Sequence, residues 1–148
     1  MTLTPPRLRR LVKHRERLER LQEQELAEAL RLYRRREDSL NESLGNREAL
    51  LGAGRPGAGP VDIAGLHSEL AYLRRVDREV VARRAALQHS AAGVEEERSE
   101  LLTRRRDRKA IETLLDRRLE QERIERNRAE LRLIDELATT RWRRPDHR

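Results

Sequence analysis

In the first third of the chain the apolar residues return at helical intervals. Leu11, Leu18 and Leu21, then Leu26, Leu30, Tyr33, Leu40 and Leu44, step by three, four or seven, and polar residues fill the gaps. That is the spacing of a coiled-coil seam along one face of a long helix. Between Leu21 and Leu26 the step is five, which predicts a slip of seam phase and locally relaxed supercoiling without a break in the helix. Thr4-Pro5-Pro6 marks the start, because Thr4 can cap free amide donors and proline in the first turn forfeits no hydrogen bond. Gly45-Asn46 offers a left-handed stop, whereas Arg47 to Leu51 can carry the helix on to Gly52. The expected first helix covers residues 5–50.

From Gly52 to Pro60 glycine and proline are so concentrated that neither helix nor strand can run through, which predicts a loop over 52–61. Asp62 is placed to cap a second helix over 62–142, in which Leu66, Leu70, Leu73, Val80, Leu87, Ala91, Val94, Leu101, Leu115 and Leu119 hold an alternating three-and-four register. Farther on, Ile124, Leu131, Ile134 and Ala138 form a stripe in a different phase, and Pro145 closes the segment within a short basic tail, 143–148. The pattern predicts an all-α fold: one domain of two long helices in an antiparallel coiled-coil hairpin, the second longer than the first. Polar residues at seam positions of the second helix, Asp77, Arg84, Arg98 and Arg105, predict weak packing.

The two helices come to roughly 60 and 115 Å at the α-helical rise. A turn centred in the Gly/Pro segment sets residue i against about residue 110 − i, so that Leu8 falls near Leu102 and everything past Arg108 lacks a partner in its own chain. Ile111, Leu115, Ile124, Leu131 and Ile134 then form an exposed apolar tail that calls for another protein. Arg128 and Arg132 flank the tail stripe four residues apart, and Asp135 and Glu136 follow them. These charges suit a partner that presents both signs and fix rotational register more than affinity.

Composition narrows the function classes. Of 148 residues 41% are charged, Phe and Cys are absent, and Tyr33, Tyr72 and Trp142 are the only aromatic residues. A compact enzyme core has little to be built from, while Leu, Ala, Glu and Arg favour long helices. The absence of cysteine rules out disulfides and thiolate metal sites and fits a reducing cytoplasm. The opening residues lack a continuous apolar run, and no stretch approaches the ~20 apolar residues of a membrane span. The net charge of +7 would suit a nucleic-acid partner, but the two signs are interleaved along the chain and stacking aromatics are few, so a basic nucleic-acid-associated or scaffold coiled coil stands as the alternative and no nucleic acid is expected.

No catalytic, cofactor or metal constellation emerges. Gly52, Gly54 and Gly57 match G-x-G-x-x-G in letters, but a leucine-periodic helix precedes them where a dinucleotide site needs a strand, and Pro56 sits inside the motif. His14, His67, His89 and His147 have no second ligand at metal-binding spacing. The run Glu95-Glu96-Glu97 and the runs Arg34-Arg35-Arg36 and Arg104-Arg105-Arg106 point around a helix in three directions each, as solvated faces do. Ala91-Ala92-Gly93 permits a close helix approach or a bend, or is a tolerated weak spot.

In the last third the runs Arg108-Lys-Ala-Ile-Glu-Thr-Leu-Leu-Asp-Arg-Arg and Asn127-Arg-Ala-Glu-Leu-Arg-Leu-Ile-Asp-Glu-Leu-Ala138 resemble the FliJ family of flagellar protein export. The tail of that family carries a run like E-N-R-x-x-x-K-x-x-D-E-x-A, and Asn127, Arg128, Arg132, Asp135, Glu136 and Ala138 stand in the matching places, Asp135-Glu136 being the most telling pair. The Arg- and Leu-rich opening helix, Arg7 to Leu30, is similar as well, and the two-helix layout agrees over nearly the whole chain.

The resemblance implies a non-enzymatic cytoplasmic component of the flagellar type III export apparatus, peripherally associated with the inner membrane at the flagellar base. Its shape would be that of a rotary-ATPase central stalk, with the open end of the coiled coil in the hexameric export ATPase ring and the tip side at the cytoplasmic domain of the export gate, and it would escort export chaperones. The ATP chemistry would belong to the ring, so that no cofactor is expected. On this resemblance Leu40, Leu44, Tyr72 and Val76 correspond to the gate-binding segment, and Ile124, Arg128, Leu131, Arg132, Ile134, Asp135, Glu136 and Ala138 to the ring-binding one. The family has tyrosines toward the end of the first helix where this chain has Asn46 and Leu50.

Overall fold

A computed structural model describes residues 4–53, 60 and 62–142. Most of the expected Gly/Pro loop and the whole basic tail 143–148 lie outside the described residues. The fold is all-α: helix α1, Pro5–Ala53, packs antiparallel against helix α2, Ile63–Trp142, which is the longer. The Thr4 carbonyl accepts the amides of Arg7 and Leu8, so α1 begins where the Thr-Pro-Pro run predicts. It runs through Gly45-Asn46 and ends at Ala53, because the helix formers of residues 47–51 outweigh a single glycine in open space. At the start of α2 the Asp62 carboxylate accepts the Ala64 amide at 3.1 Å, and the Asp62 carbonyl accepts the Leu66 amide, the geometry of an N-cap.

The helices pack in two compact units, residues 20–102 and residues 1–19 with 103–148. In the first unit the buried and half-buried positions of α1 repeat every seven residues as Gln22, Ala29, Arg36, Ser43 and Leu50 and as Leu26, Tyr33, Leu40 and Arg47. On α2 the matching rows are Leu73, Val80, Leu87, Val94 and Leu101 and Val76, Arg83, Ser90 and Glu97. These are unbroken heptads. The phase slip expected between Leu21 and Leu26 is therefore corrected: Leu21 lies off the seam, 54% exposed, and buried Gln22 holds the seam position beside it. A pattern drawn from apolar residues alone skips long polar side chains that cross the interface.

Among the described residues of this unit Leu40, Val76 and Val80, with Leu44, Leu50 and Leu87 against them, make an apolar cluster. Val94 and Leu101 are buried farther along the seam, and polar bonds between the helices cross it among these apolar residues. Arg36 donates from Nη1 to the Ala86 carbonyl at 2.8 Å and to Ser90 Oγ at 2.6 Å. Arg83 does the reverse, donating from Nη1 to the Ser39 carbonyl at 2.7 Å and to Ser43 Oγ. Each helix thus carries an Arg, an accepting carbonyl three residues on, a Leu at the fourth and a Ser at the seventh: Arg36, Ser39, Leu40, Ser43 on α1 and Arg83, Ala86, Leu87, Ser90 on α2. The antiparallel arrangement makes the two clamps reciprocal. Gln22 Nε2 bonds the Glu97 carboxylate farther along, and Arg47 pairs with Asp77 at 2.6 Å nearer the loop.

The other unit repeats the theme. Leu8, Arg15, Arg108 and Leu115 continue one pair of rows, Val12, Glu19, Arg104 and Ile111 the other, and Leu8 is 2% exposed. Arg15 pairs with Asp107 at 3.1 Å, and the buried Glu19 carboxylate takes Arg105 at 3.1 Å and Arg108 at 2.6 Å. Of the four polar residues expected to weaken packing, Asp77 and Arg105 instead form cross-helix ion pairs, while Arg84 and Arg98 are exposed. Among the described residues no buried side-chain nitrogen or oxygen lacks a hydrogen-bond partner, which is the condition for a polar seam to be stable.

The facing arithmetic is also corrected. Bonded cross-helix residues have numbers totalling 122 for Arg15 with Asp107, 122 for Ser39 with Arg83 and 124 for Arg47 with Asp77, well above the 110 that a turn centred in the Gly/Pro segment implies. Heptad matching, not the centre of the loop, sets the register. Ile111 and Leu115 accordingly belong to the half-buried seam, and α2 loses its partner beyond residue 118, which faces the start of α1 at Pro5.

Arg83→Ala should cost about 1–3 kcal/mol by taking the cross-helix donor from the buried Ser43 hydroxyl, whereas exposed Arg84→Ala should change stability by less than about 0.5 kcal/mol; urea denaturation of the two variants reads the difference. Burial raises the Glu19 pKa, but the Arg108 and Arg105 bonds and charges outweigh it and hold the carboxyl below its ordinary value. A folded pKa depressed below the unfolded one contributes stability that is fully present above the unfolded value of about 4.3 and is lost as pH falls through the folded value. The excess stability of wild type over Glu19→Gln should therefore be constant from pH 7 to pH 5 and shrink below about pH 4, measured by urea midpoints across pH.

Candidate docking surfaces

Past the end of α1 the character of α2 changes. Its seam rows continue as Glu122, Ala129 and Glu136 and as Glu125, Arg132 and Thr139, which offer almost nothing to bury. Ile124, Leu131, Ile134 and Ala138 form a stripe two positions along the heptad and therefore about 150° around the helix from the seam, and the exposed Leu133 and Leu137 lie in neither row. Every residue from Arg123 to Trp142 is exposed, with Leu131 at 61% and Ile134 at 59%. An amphipathic tail thus presents its apolar face on the side of α2 turned away from the face α1 would occupy.

The eight residues expected to bind a ring divide by face. Ile124, Leu131, Ile134 and Ala138 make the stripe itself, Arg128 and Asp135 border it on one side, and Arg132 and Glu136 fall in the seam phase on the far side of the helix. The four residues expected at a gate also divide. Leu40 and Val76 are buried in the cluster between the helices at 8% and 4% exposure, and Leu44 packs against it. Tyr72 is open to solvent, as are Ile63, Leu66 and Leu70 in the first turns of α2. Of the four, Tyr72 is the one whose side chain stands exposed.

Charge is distributed by unit. Residues 1–19 and 103–142 hold 18 Lys and Arg against 11 Asp and Glu, a net +7, while residues 20–102 hold 13 against 15, a net −2. Interleaving along the chain conceals this, because the basic stretches Arg7 to Arg17 and Arg104 to Lys109 come together only when the helices pair. The clamp residues Arg36, Ser43, Arg83 and Ser90 were likewise absent from the expected sites, although the shared spacing of Arg and Ser on the two helices was a signal available in the sequence. Among the described residues no group of three His, Asp or Glu is arranged to hold a metal ion, and no helix is long and apolar enough to cross a membrane.

Comparison with known proteins bears on what such a chain belongs to. No match was found among curated proteins or among solved structures. A family model described as "Flagellar FliJ protein" matches residues 4–147, which takes in both helices, the polar seam and the exposed tail with its Asn127 to Ala138 run. A match over that span shows that the chain belongs to the FliJ family.

Proposed function

We propose that this chain, a non-enzymatic component of the flagellar export apparatus by its family, is the stalk-like element linking the hexameric export ATPase ring to the cytoplasmic domain of the export gate, and that it escorts export chaperones. It would work in the cytoplasm, held peripherally to the inner membrane at the flagellar base through the gate. The observation that carries this reading is the exposed tail of α2: a helix that outruns its partner and turns an apolar stripe outward is built to be covered by another protein. On this reading Leu131 and Ile134 are the central anchors in the ring, with Ile124 and Ala138 beside them. Arg128 and Asp135 set the angle of approach, and Arg132 and Glu136, on the opposite face, meet the far wall of an enclosing ring. A ring contacts all sides of what it encloses, so a tail charged on one face and apolar on the other is compatible with it. At the other end Tyr72 is the gate anchor, supported by Val76, Leu40 and Leu44 in the seam below.

One observation favours a second reading. The concentration of net +7 in one unit would also suit a nucleic acid, whose binding weakens steeply with salt through counterion release, while docking through apolar surface persists. Titrating salt against duplex DNA and against the export ATPase separates the two.

Deleting the residues after Arg123, or replacing Leu131 and Ile134 by Asp, should abolish stimulation of ring assembly or ATP turnover, measured with purified ATPase, and leave gate binding unchanged. Full stimulation by the truncated chain would move the contact elsewhere, to the basic stretch Arg9 to Arg20. Tyr72→Ala should weaken binding to the gate domain by about tenfold or more, the loss of a buried aromatic anchor, with helix content by circular dichroism unchanged. Calorimetric titration of the gate domain checks this, and equal affinity would remove Tyr72 as an anchor.

A further inference from the structure

The tail stripe is self-complementary. We infer that α2 pairs with α2 of a second copy of this chain, antiparallel, through the face that carries Leu131 and Ile134. The argument starts from the heptad positions: Leu131 and Ile134 stand three residues apart, as the two core positions of a coiled-coil repeat do. In an antiparallel pair each kind of core position faces the other kind, as Leu50 faces Leu73 and Leu40 faces Arg83 within this protein by its heptad register. A two-fold pairing therefore sets Leu131 of each copy against Ile134 of the other, and the next layers outward set Asn127 against Ala138.

The charges decide between this occupant and an unspecified one. Arg128 and Asp135 border the stripe on the same side, seven residues apart, about 10 Å along the helix and too far to pair with each other. Among the described residues neither has an ion-pair partner. Their midpoint along the helix coincides with the midpoint of Leu131 and Ile134 to within one residue. The two-fold that stacks Leu131 on Ile134 thus brings Arg128 of each copy beside Asp135 of the other, twice. A parallel pair would instead set Arg128 beside Arg123 of the other copy and Asp135 beside Glu130, like charge against like. Charge selects the antiparallel form.

The pairing leaves the face toward α1 untouched, since that face lies about 150° away. With one Leu/Ile layer repeated and an Asn in the next, the dimer is weak and depends on concentration. It hides the stripe assigned above to the ring, so a paired tail is withheld from the ring and a single tail is free to dock. The pairing itself does not rest on the ring reading, and its test uses the chain alone.

Sedimentation equilibrium of the full chain from about 1 to about 100 μM, a range suited to weak association, should show a monomer–dimer equilibrium. Arg128→Asp alone and Asp135→Arg alone should each weaken it by about tenfold or more, because each places two like-charge pairs in the dimer. Mixing the two variants one to one should restore the dimer, as every Asp then meets an Arg. Both substitutions are on exposed helix, and circular dichroism verifies that helix content is kept. A wild type that stays monomeric throughout the range, variants that associate as wild type does, or a mixture that stays monomeric would each overturn the inference. Loss of ATPase stimulation in the same variants would bear on the ring contact alone.

Discussion

The arginine that reaches across the seam to a carbonyl and a serine on the facing helix is the interaction on which this protein depends. Two helices in contact bury a single seam, and here that seam has few apolar residues to spare: Leu40, Val76 and Val80 form the cluster of the larger unit. Apolar burial is non-directional and would tolerate sliding by a heptad. Arg36 on Ala86 and Ser90, with Arg83 on Ser39 and Ser43, does not. A slide by seven residues would take each arginine off its buried serine and its one carbonyl acceptor, and leaving buried polar groups unpaired costs more than the paired groups contribute. Specificity of register, more than depth of stability, is what the polar seam supplies.

Register then decides what remains for partners. With facing residues totalling near 123, α1 ends its coverage of α2 at residue 118, and the heptads of α2 beyond it turn charged while the apolar residues move around the helix. The tail is therefore not simply a missing half of the hairpin waiting for a third helix. It is a new face, directed elsewhere, with its own charge pattern in Arg128 and Asp135. At the other end the same register buries Val76 and Leu40 and leaves Tyr72 standing out. Family membership supplies the system, flagellar export, and the register supplies the surfaces.

Helix count, order and starting points were legible in the sequence, because prolines, glycines and capping residues act locally: α1 starts directly after Thr4, and the Asp62 carboxylate caps α2. The unequal helix lengths and the separate phase of the tail stripe were legible for the same reason. The seam was not. Leu11 and Leu21 belong to the expected apolar pattern yet are 39% and 54% exposed, whereas Glu19, Gln22 and Ser43 are buried. What buries them is the complementary group on the other helix, and that cannot be seen until the register is known. The register in turn could not be taken from the loop, since its glycines and prolines stop a helix without fixing where the next one docks. The polarisation of charge between the units was hidden for the same reason.

The central claim, that reciprocal polar clamps set this register, is tested most directly by cross-linking. The chain has no cysteine, so paired substitutions report without background. Ala29→Cys with Val94→Cys joins seam positions that face each other when paired numbers total near 123, and Ala29→Cys with Val81→Cys joins those that would face near 110. A short thiol cross-linker should capture the first pair within one chain and leave the second unlinked, and adding Arg36→Ala and Arg83→Ala should blur that preference. Capture of the second pair in preference to the first, or an unchanged preference for the first without the two arginines, would contradict the account.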